Sequence, residues 1–414
     1  MGFKDKYISL VWFFAALTLA FSIGIPGGYN VGSSFIFLFS FGLLFIRPRW
    51  SILNKEDRLL FWGFLAFSVS MFFAVYLDDG GVRGLDRPSR FILVLPVMVL
   101  LLCVSNRKEW LWYAVAFGST LAFFVALYER IVLGVDRANG QINAIMFGNI
   151  AMLLGFLSFS GAVYFYSQRR FVLLAVMLCG GVCGVGASVL SGTRGGWIGL
   201  PLIGLFMFWQ CRDLMDRKAL FSVCTLVTIF LVSVVAIPET GVQKRVAAAV
   251  DDIENYIDGS NAETSVGARF DMWKSALYMF QQAPLLGVGQ SQTIPIKKQL
   301  ASEGKISDYS VGFSHAHNEY LDALSKRGII GLAFLMLLYL LPLRLFLRKL
   351  KQCGSNWRIR SYAIAGALIP MCYMDFALTQ VMFGHNIGVT MYAFLIVYFW
   401  AAVRWAEREE LSQP

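Results

Sequence analysis

Charge is scarce in this sequence. Only 15% of its 414 residues are Asp, Glu, Lys or Arg, while 57% are apolar. A water-soluble domain carries about 25% charged and 45–50% apolar residues, so the composition excludes an ordinary soluble domain and a disordered chain. Histidine occurs three times in all. The seven cysteines are scattered without a C-x-x-C pair, which removes a disulfide framework and a zinc ribbon. Cys179 and Cys183, one turn apart in an apolar run, read as soft core residues. No G-K-[ST] loop is present, and Gly287-Val-Gly289 follows no strand, so nucleotide binding has no motif to rest on. H-E-x-x-H is absent too. His315, His317, Glu319 and Asp322 offer ligand types, but residues two apart on a helix diverge by about 200°, which speaks against a metal site.

What the sequence has in abundance is long apolar runs, and a helix needs about 20 such residues to cross a bilayer. The runs predict helices over 7–25, 30–46, 59–77, 89–105, 110–133, 144–166, 171–190, 196–211, 219–237, 329–347, 361–381 and 386–404. The fold class expected is therefore an all-α polytopic membrane protein of about twelve spans. The first run follows Lys4 and Lys6 but is longer than a signal-peptide core, so it reads as retained. Gly180 and Gly184 form a small-xxx-small pair that suits a helix contact.

The net charge of +10 would suggest nucleic acid in a soluble protein; here its distribution gives another meaning. With the N-terminus inside, twenty Lys and Arg, from Lys4 and Lys6 to Arg404 and Arg408, fall in inner segments. The short outer loops hold five: Arg83, Arg87, Arg90, Arg137 and Arg194. That bias puts both termini in the cytoplasm. Three segments follow: spans 1–9 over 1–237, an outer loop over 238–328, and spans 10–12 with a cytoplasmic tail over 329–414.

An outer loop of about ninety residues is long enough to be functional. Val246, Val250, Ile253 and Ile257 recur at helical spacing, as do Val266, Phe270, Trp273 and Leu277, which predicts two amphipathic helices. Pro284, Gly287 and Gly289 end the second. The loop is expected to fold as a cap over the outer face of the bundle. His315 and His317 lie within it and His385 before the last span, all on the outer side of the membrane. Histidine is the side chain most readily poised between acid and base near neutral pH, so His317, at the start of a helix running through Leu321 and Leu324 to Gly328, is the candidate general base.

Arginines supply a second constellation. Arg194 sits in the tight turn Ser191-Gly-Thr-Arg-Gly-Gly-Trp197, and Arg269 opens a loop helix in Ser265-Val-Gly-Ala-Arg-Phe-Asp-Met-Trp273. A guanidinium is always charged and binds phosphate oxygens bidentately. Arg137 fits a lipid headgroup contact. Arg90 suits either a headgroup-level phosphate or interfacial snorkelling. Asp375, a carboxylate inside an apolar run, suits either function or a hydrogen-bonded packing role.

The Ser-Gly-Thr-Arg-Gly turn, the late outer loop, the Arg-x-x-x-Trp helix at 269–273 and His-Asn-x-x-Leu at 317–321 resemble the O-antigen ligase and polymerase superfamily. Among its members the chain is most similar to the lipopolysaccharide O-antigen ligases of Gram-negative bacteria. The specific motifs run from Ser191 to Gly331; topology extends the likeness over most of the chain. The resemblance implies a glycosyltransferase of the inner membrane with its active site facing the periplasm. The donor implied is an undecaprenyl-pyrophosphate-linked O-antigen and the acceptor a sugar hydroxyl of lipid A-core, with no nucleotide, metal or other cofactor. It assigns the base to His317 and the donor pyrophosphate to Arg194 and Arg269, with His315, Arg90, Asp375 and Asp322 in support. O-antigen polymerases and protein O-oligosaccharyltransferases share the His-bearing loop, and so stay open as alternatives. A lipid-linked oligosaccharide flippase also needs a polytopic bundle, but should have internal repeats and polar residues at the midplane, of which Asp375 is the main trace.

Overall fold

A computed structural model describes residues 3–104, 107–193, 195–214, 251–258 and 263–412. Its regular elements are helical throughout. Among the described residues, seven helices are long and apolar enough to cross a membrane: Gly28–Ile46, Lys55–Leu77, Glu109–Val132, Ala144–Ser167, Phe171–Leu190, Glu319–Gln352 and Asn386–Leu411. The chain is a polytopic membrane protein. Four more of the expected spans are helical but shorter or more polar: Phe3–Ala20, Asp86–Cys103, Leu200–Cys211 and Trp357–Phe376. The expected span at 219–237 lies outside the described residues, as do Cys224, Val246 and Val250.

Two compact units divide the chain: Met1–Ile203 with Ala333–Pro414, and Gly204–Leu332. In the first, Ala144–Ser167 is buried almost all round, and small residues explain how. A Cβ added to Gly184 would sit 2.6 Å from Gly155 Cα, and one on Gly180 would sit 2.9 Å from Ala116 Cα. The Gly180/Gly184 pair is thus the close helix contact that its spacing suggests, because backbones can meet only where side chains are absent.

Buried charge fastens the same unit. Asp57 is fully buried and forms a capping box with Asn54. Its Oδ1 also accepts from Trp400 Nε1 at 2.8 Å and from Arg404 Nε at 3.1 Å. Lys349 Nζ lies 2.6 Å from both Glu56 and Glu407. Arg404, counted above only as an orienting cation, and Lys349 are therefore neutralised inside the fold, as a buried charge requires.

In the second unit the helix Ser265–Gln282 ends before Pro284 as the sequence predicts, but its buried face differs. Ala268, Met272, Ala276 and Met279 are inside, while Leu277 is 48% exposed and Val266, Phe270 and Trp273 are half-buried. Both stripes have helical period, so periodicity alone cannot choose between them. Asp271 decides: its carboxylate, on the inner face, accepts from Ser307 N at 2.8 Å, Ser310 Oγ at 3.1 Å and Tyr256 OH at 2.8 Å. Residues 251–257 are helical, yet Ile257 is largely exposed.

A further helix, Thr293–Ser302, falls where no element was expected. Ile296 and Leu300 pack there with Met279 and Ile306 in a small core. Pro295 near its start and the Ile296–Leu300 spacing are the signals that mark it.

Candidate functional site

The sequence His315-Ala-His-Asn-Glu is built as a turn feeding a helix. Asn318 Oδ1 accepts from Leu321 N at 3.0 Å, capping the helix that begins at Glu319. His317, just before the cap, has φ +47°, a left-handed conformation that a β-carbon disfavours. Its N–H reaches His315 Nδ1 at 3.4 Å, and the two imidazoles meet edge to face with centroids 4.3 Å apart.

Side chains from three helices hold the backbone ahead of His317. Trp273 Nε1 donates to Ala316 O at 3.0 Å. Asp322 Oδ1 accepts from Ala316 N at 3.2 Å and from Lys326 Nζ at 2.6 Å. Lys326 Nζ also donates to Ser314 O at 2.9 Å, and Lys297 Nζ to Phe313 O at 2.7 Å. Burial pushes the Lys297 ammonium down to about 8, with Lys326 adding repulsion and Asp322 and Asp271 opposing. Asp322 was expected in support of the site, whereas Lys297 and Lys326 were not singled out. The Asp322–Lys326 spacing of four on a helix is the signal for one of them; the other needed the helix Thr293–Ser302.

Arg269 lies one turn before Trp273, so the two share a face of their helix. Among the described residues it meets no carboxylate, and it is half-buried. Burial lowers its pKa, but a guanidinium stays cationic throughout the physiological range. His317 and Arg269 thus lie on segments that the Trp273–Ala316 bond joins. Arg194 lies outside the described residues.

His315 gives the site a pH dependence. Desolvation pushes its pKa below the usual 6.5, Asp322 raises it, and Lys326 and Lys297 lower it. Between the folded pKa and 6.5 the unfolded chain binds more protons, so stability rises with pH across that window and is lost below it. Protonation would also fill the Nδ1 lone pair that meets His317 N–H. The melting temperature should rise with pH on the acid side of the usual 6.5, and the rise should shrink in His315→Gln. An identical slope in the variant would remove His315 as the origin.

Residues 191–193 and 195–199 belong to the first unit. Arg137 Nε donates to Ser191 O at 3.0 Å, and Thr193 Oγ1 to Ala144 O at 2.9 Å. Arg137, expected at a lipid headgroup, thus also holds the backbone at Ser191. Asp375 Oδ1 accepts from Gly199 N at 2.6 Å, so that carboxylate anchors the chain just beyond the turn. Arg90 Nη1 donates to Asn30 at 2.8 Å and Thr390 at 2.6 Å, and Asp86 lies 3.5 Å from Nη2. These bonds join helices rather than reach outward.

Residues 179–336 match the Wzy_C family, O-Antigen ligase. That stretch is an O-antigen ligase family domain. It contains Arg194, Arg269, His315, His317 and Asp322, and leaves Arg90 and Asp375 outside. The chain is 28% identical over 370 residues to an uncharacterized protein of Haemophilus influenzae, covering 89% of this chain and 92% of that one. It is 26% identical over 245 residues to the O-antigen ligase of Escherichia coli, covering 57% of this chain and 56% of that protein's length.

Proposed function

We propose that the chain is an O-antigen ligase of a Gram-negative inner membrane. It moves O-antigen polysaccharide from undecaprenyl pyrophosphate to a sugar hydroxyl of lipid A-core. In this reading about twelve helices cross the membrane, both termini are cytoplasmic, and the loop at 238–328 faces the periplasm. The observation that carries it is the Trp273–Ala316 hydrogen bond at 3.0 Å, which ties the helix of Arg269 to the residue before His317. A base and a cation then occur together, as transfer from a pyrophosphate requires.

The acceptor oxygen attacks the anomeric carbon while the bond from that carbon to the pyrophosphate oxygen breaks. The hydroxyl proton passes to His317, and the electron pair leaves with the diphosphate, so one displacement inverts the anomeric centre. Arg194 and Arg269 meet the growing charge of the leaving group, a role fixed cations fill without reorganising. His315 and Asp322 support the His317 segment; Arg90 joins helices and Asp375 anchors Gly199.

Purified protein reconstituted with lipid-linked glycan and lipid A-core tests the reading. Glycan on lipid A-core supports it. Elongation of the donor glycan alone makes the chain a polymerase, glycan on protein an oligosaccharyltransferase, and movement across the bilayer without transfer a flippase. Arg269→Ala, and likewise Arg194→Ala, should lower kcat/KM for the donor by about 100–1000-fold, the scale of a lost oxyanion donor. Unchanged donor kinetics would remove the arginines from phosphate binding.

A further inference from the structure

We infer that Trp273, Lys297, Asp322 and Lys326 are positioning residues that hold the His317 backbone in its left-handed turn. The inference rests on the reading of His317 as the base. Four backbone groups ahead of His317 are taken up by these side chains: the carbonyls of Phe313, Ser314 and Ala316 and the N–H of Ala316. The bonds come from the helices Ser265–Gln282, Thr293–Ser302 and Glu319–Gln352, so the segment is held from three directions.

The groups involved are costly to bury. Lys297 is 2% exposed, Lys326 7% and Asp322 3%, which puts two ammonium groups in the interior, one of them paired with the Asp322 carboxylate. A methionine would fill either lysine site without that desolvation. What the ammonium groups supply is donors: the carbonyls of Ser314 and Phe313 would otherwise be left without these side-chain bonds, as would Ser310 O, which lies 3.4 Å from Lys297 Nζ. The cavity among Lys297, His315, Asp322 and Ser325 is about 10 Å³, about the room of one water, so the lysines themselves fill the space beside these carbonyls. Lys297 keeps an N–H to donate even when it titrates near 8. A base displaced by 1 Å loses about 100-fold in rate, so restraint of this segment acts directly on the reaction.

The test uses the full chain in lipid nanodiscs with Lys297→Met, Lys326→Met and Trp273→Phe. The last keeps an aromatic side chain and removes the donor to Ala316 together with the five-membered ring that carries it. Two readouts are taken. Transfer kinetics should show kcat lower by about 10–100-fold with donor KM little changed, since only the base has moved. Carbethoxylation by diethyl pyrocarbonate, mapped by mass spectrometry, should modify His317 about tenfold faster than in the wild type, with His385 as the internal reference, because the segment opens locally. Faster labelling together with lower kcat supports the inference. Unchanged labelling of His317, or faster labelling with unchanged kcat, overturns it. If Lys297→Met does not accumulate in membranes, Trp273→Phe decides by the same criteria. If the wild type transfers no glycan, the ligase reading fails, and labelling alone decides whether the side chains restrain His317.

Discussion

His317→Ala is expected to lower glycan transfer by about 100–10,000-fold, the range that a positioned general base contributes. Alanine alone would confuse two effects, because residue 317 has φ +47° and a non-glycine residue there costs roughly 1–2 kcal/mol. Asparagine tolerates that conformation better than most residues. His317→Asn should therefore be as inactive as His317→Ala while unfolding at a temperature closer to the wild type. Initial rates with lipid A-core acceptor, measured beside thermal unfolding, separate chemistry from fold. Transfer by the asparagine variant at the wild-type rate would remove His317 as the base.

The second large effect is structural. Gly328 interrupts the helix Glu319–Gln352 with φ +63° and ψ −162°, a combination open essentially to glycine alone. A Cβ there would overlap the backbone of Leu285. The break frees backbone groups on both sides, and residues 284–289 take them up. Ile329 N donates to Pro284 O at 2.8 Å, Val288 N to Ser325 O at 3.0 Å and Gly289 N to Lys326 O at 3.1 Å. Gly328→Ala adds backbone strain of about 1–3 kcal/mol and loosens hydrogen bonds worth about 1 kcal/mol each, so a loss of at least about 3 kcal/mol is expected. Gly312→Ala, where a Cβ meets open space and φ is not positive, is the matched control. Equal unfolding temperatures and equal protease resistance for the two variants would show that the break at 328 carries no such load.

The same bonds explain a feature whose purpose the sequence leaves obscure. Gly287-Val-Gly289 has the spacing of a phosphate loop but serves as the strap across the broken helix. Its first glycine, at φ +72°, would drive a Cβ into the backbone of Lys326 and Arg327. Lys326 O accepts from that strap while its ammonium holds Ser314 and Asp322. Helix break and His317 segment are therefore fastened through one residue, and damage at Gly328 should reach His317.

Much of the fold was legible because its signals are local. Runs such as 144–166 and 386–404 are long and apolar, and the helices Ala144–Ser167 and Asn386–Leu411 start where they do, the second running on past 404. His317 before Asn318 was legible too, since a cap and the helix behind it involve neighbours in sequence. The buried stripe of Ser265–Gln282 was not: Leu277 and Ala276 both belong to periodic patterns, and the partners of Asp271 lie 15 to 39 residues away. Arg137 resembled any interfacial arginine until Ser191 O was seen at 3.0 Å, across 54 residues.

By itself, then, the sequence determined that this chain is a helical membrane protein with its candidate base at a helix start and an arginine one turn before Trp273. Composition and hydropathic period act through the solvent each residue sees, which needs no knowledge of partners. Only the tertiary structure decided which helix face turns inward, which cations are neutralised and which side chains restrain His317. Those outcomes depend on hydrogen bonds and charge pairs between residues far apart in the chain, formed where burial makes an unmet donor or charge too costly to leave.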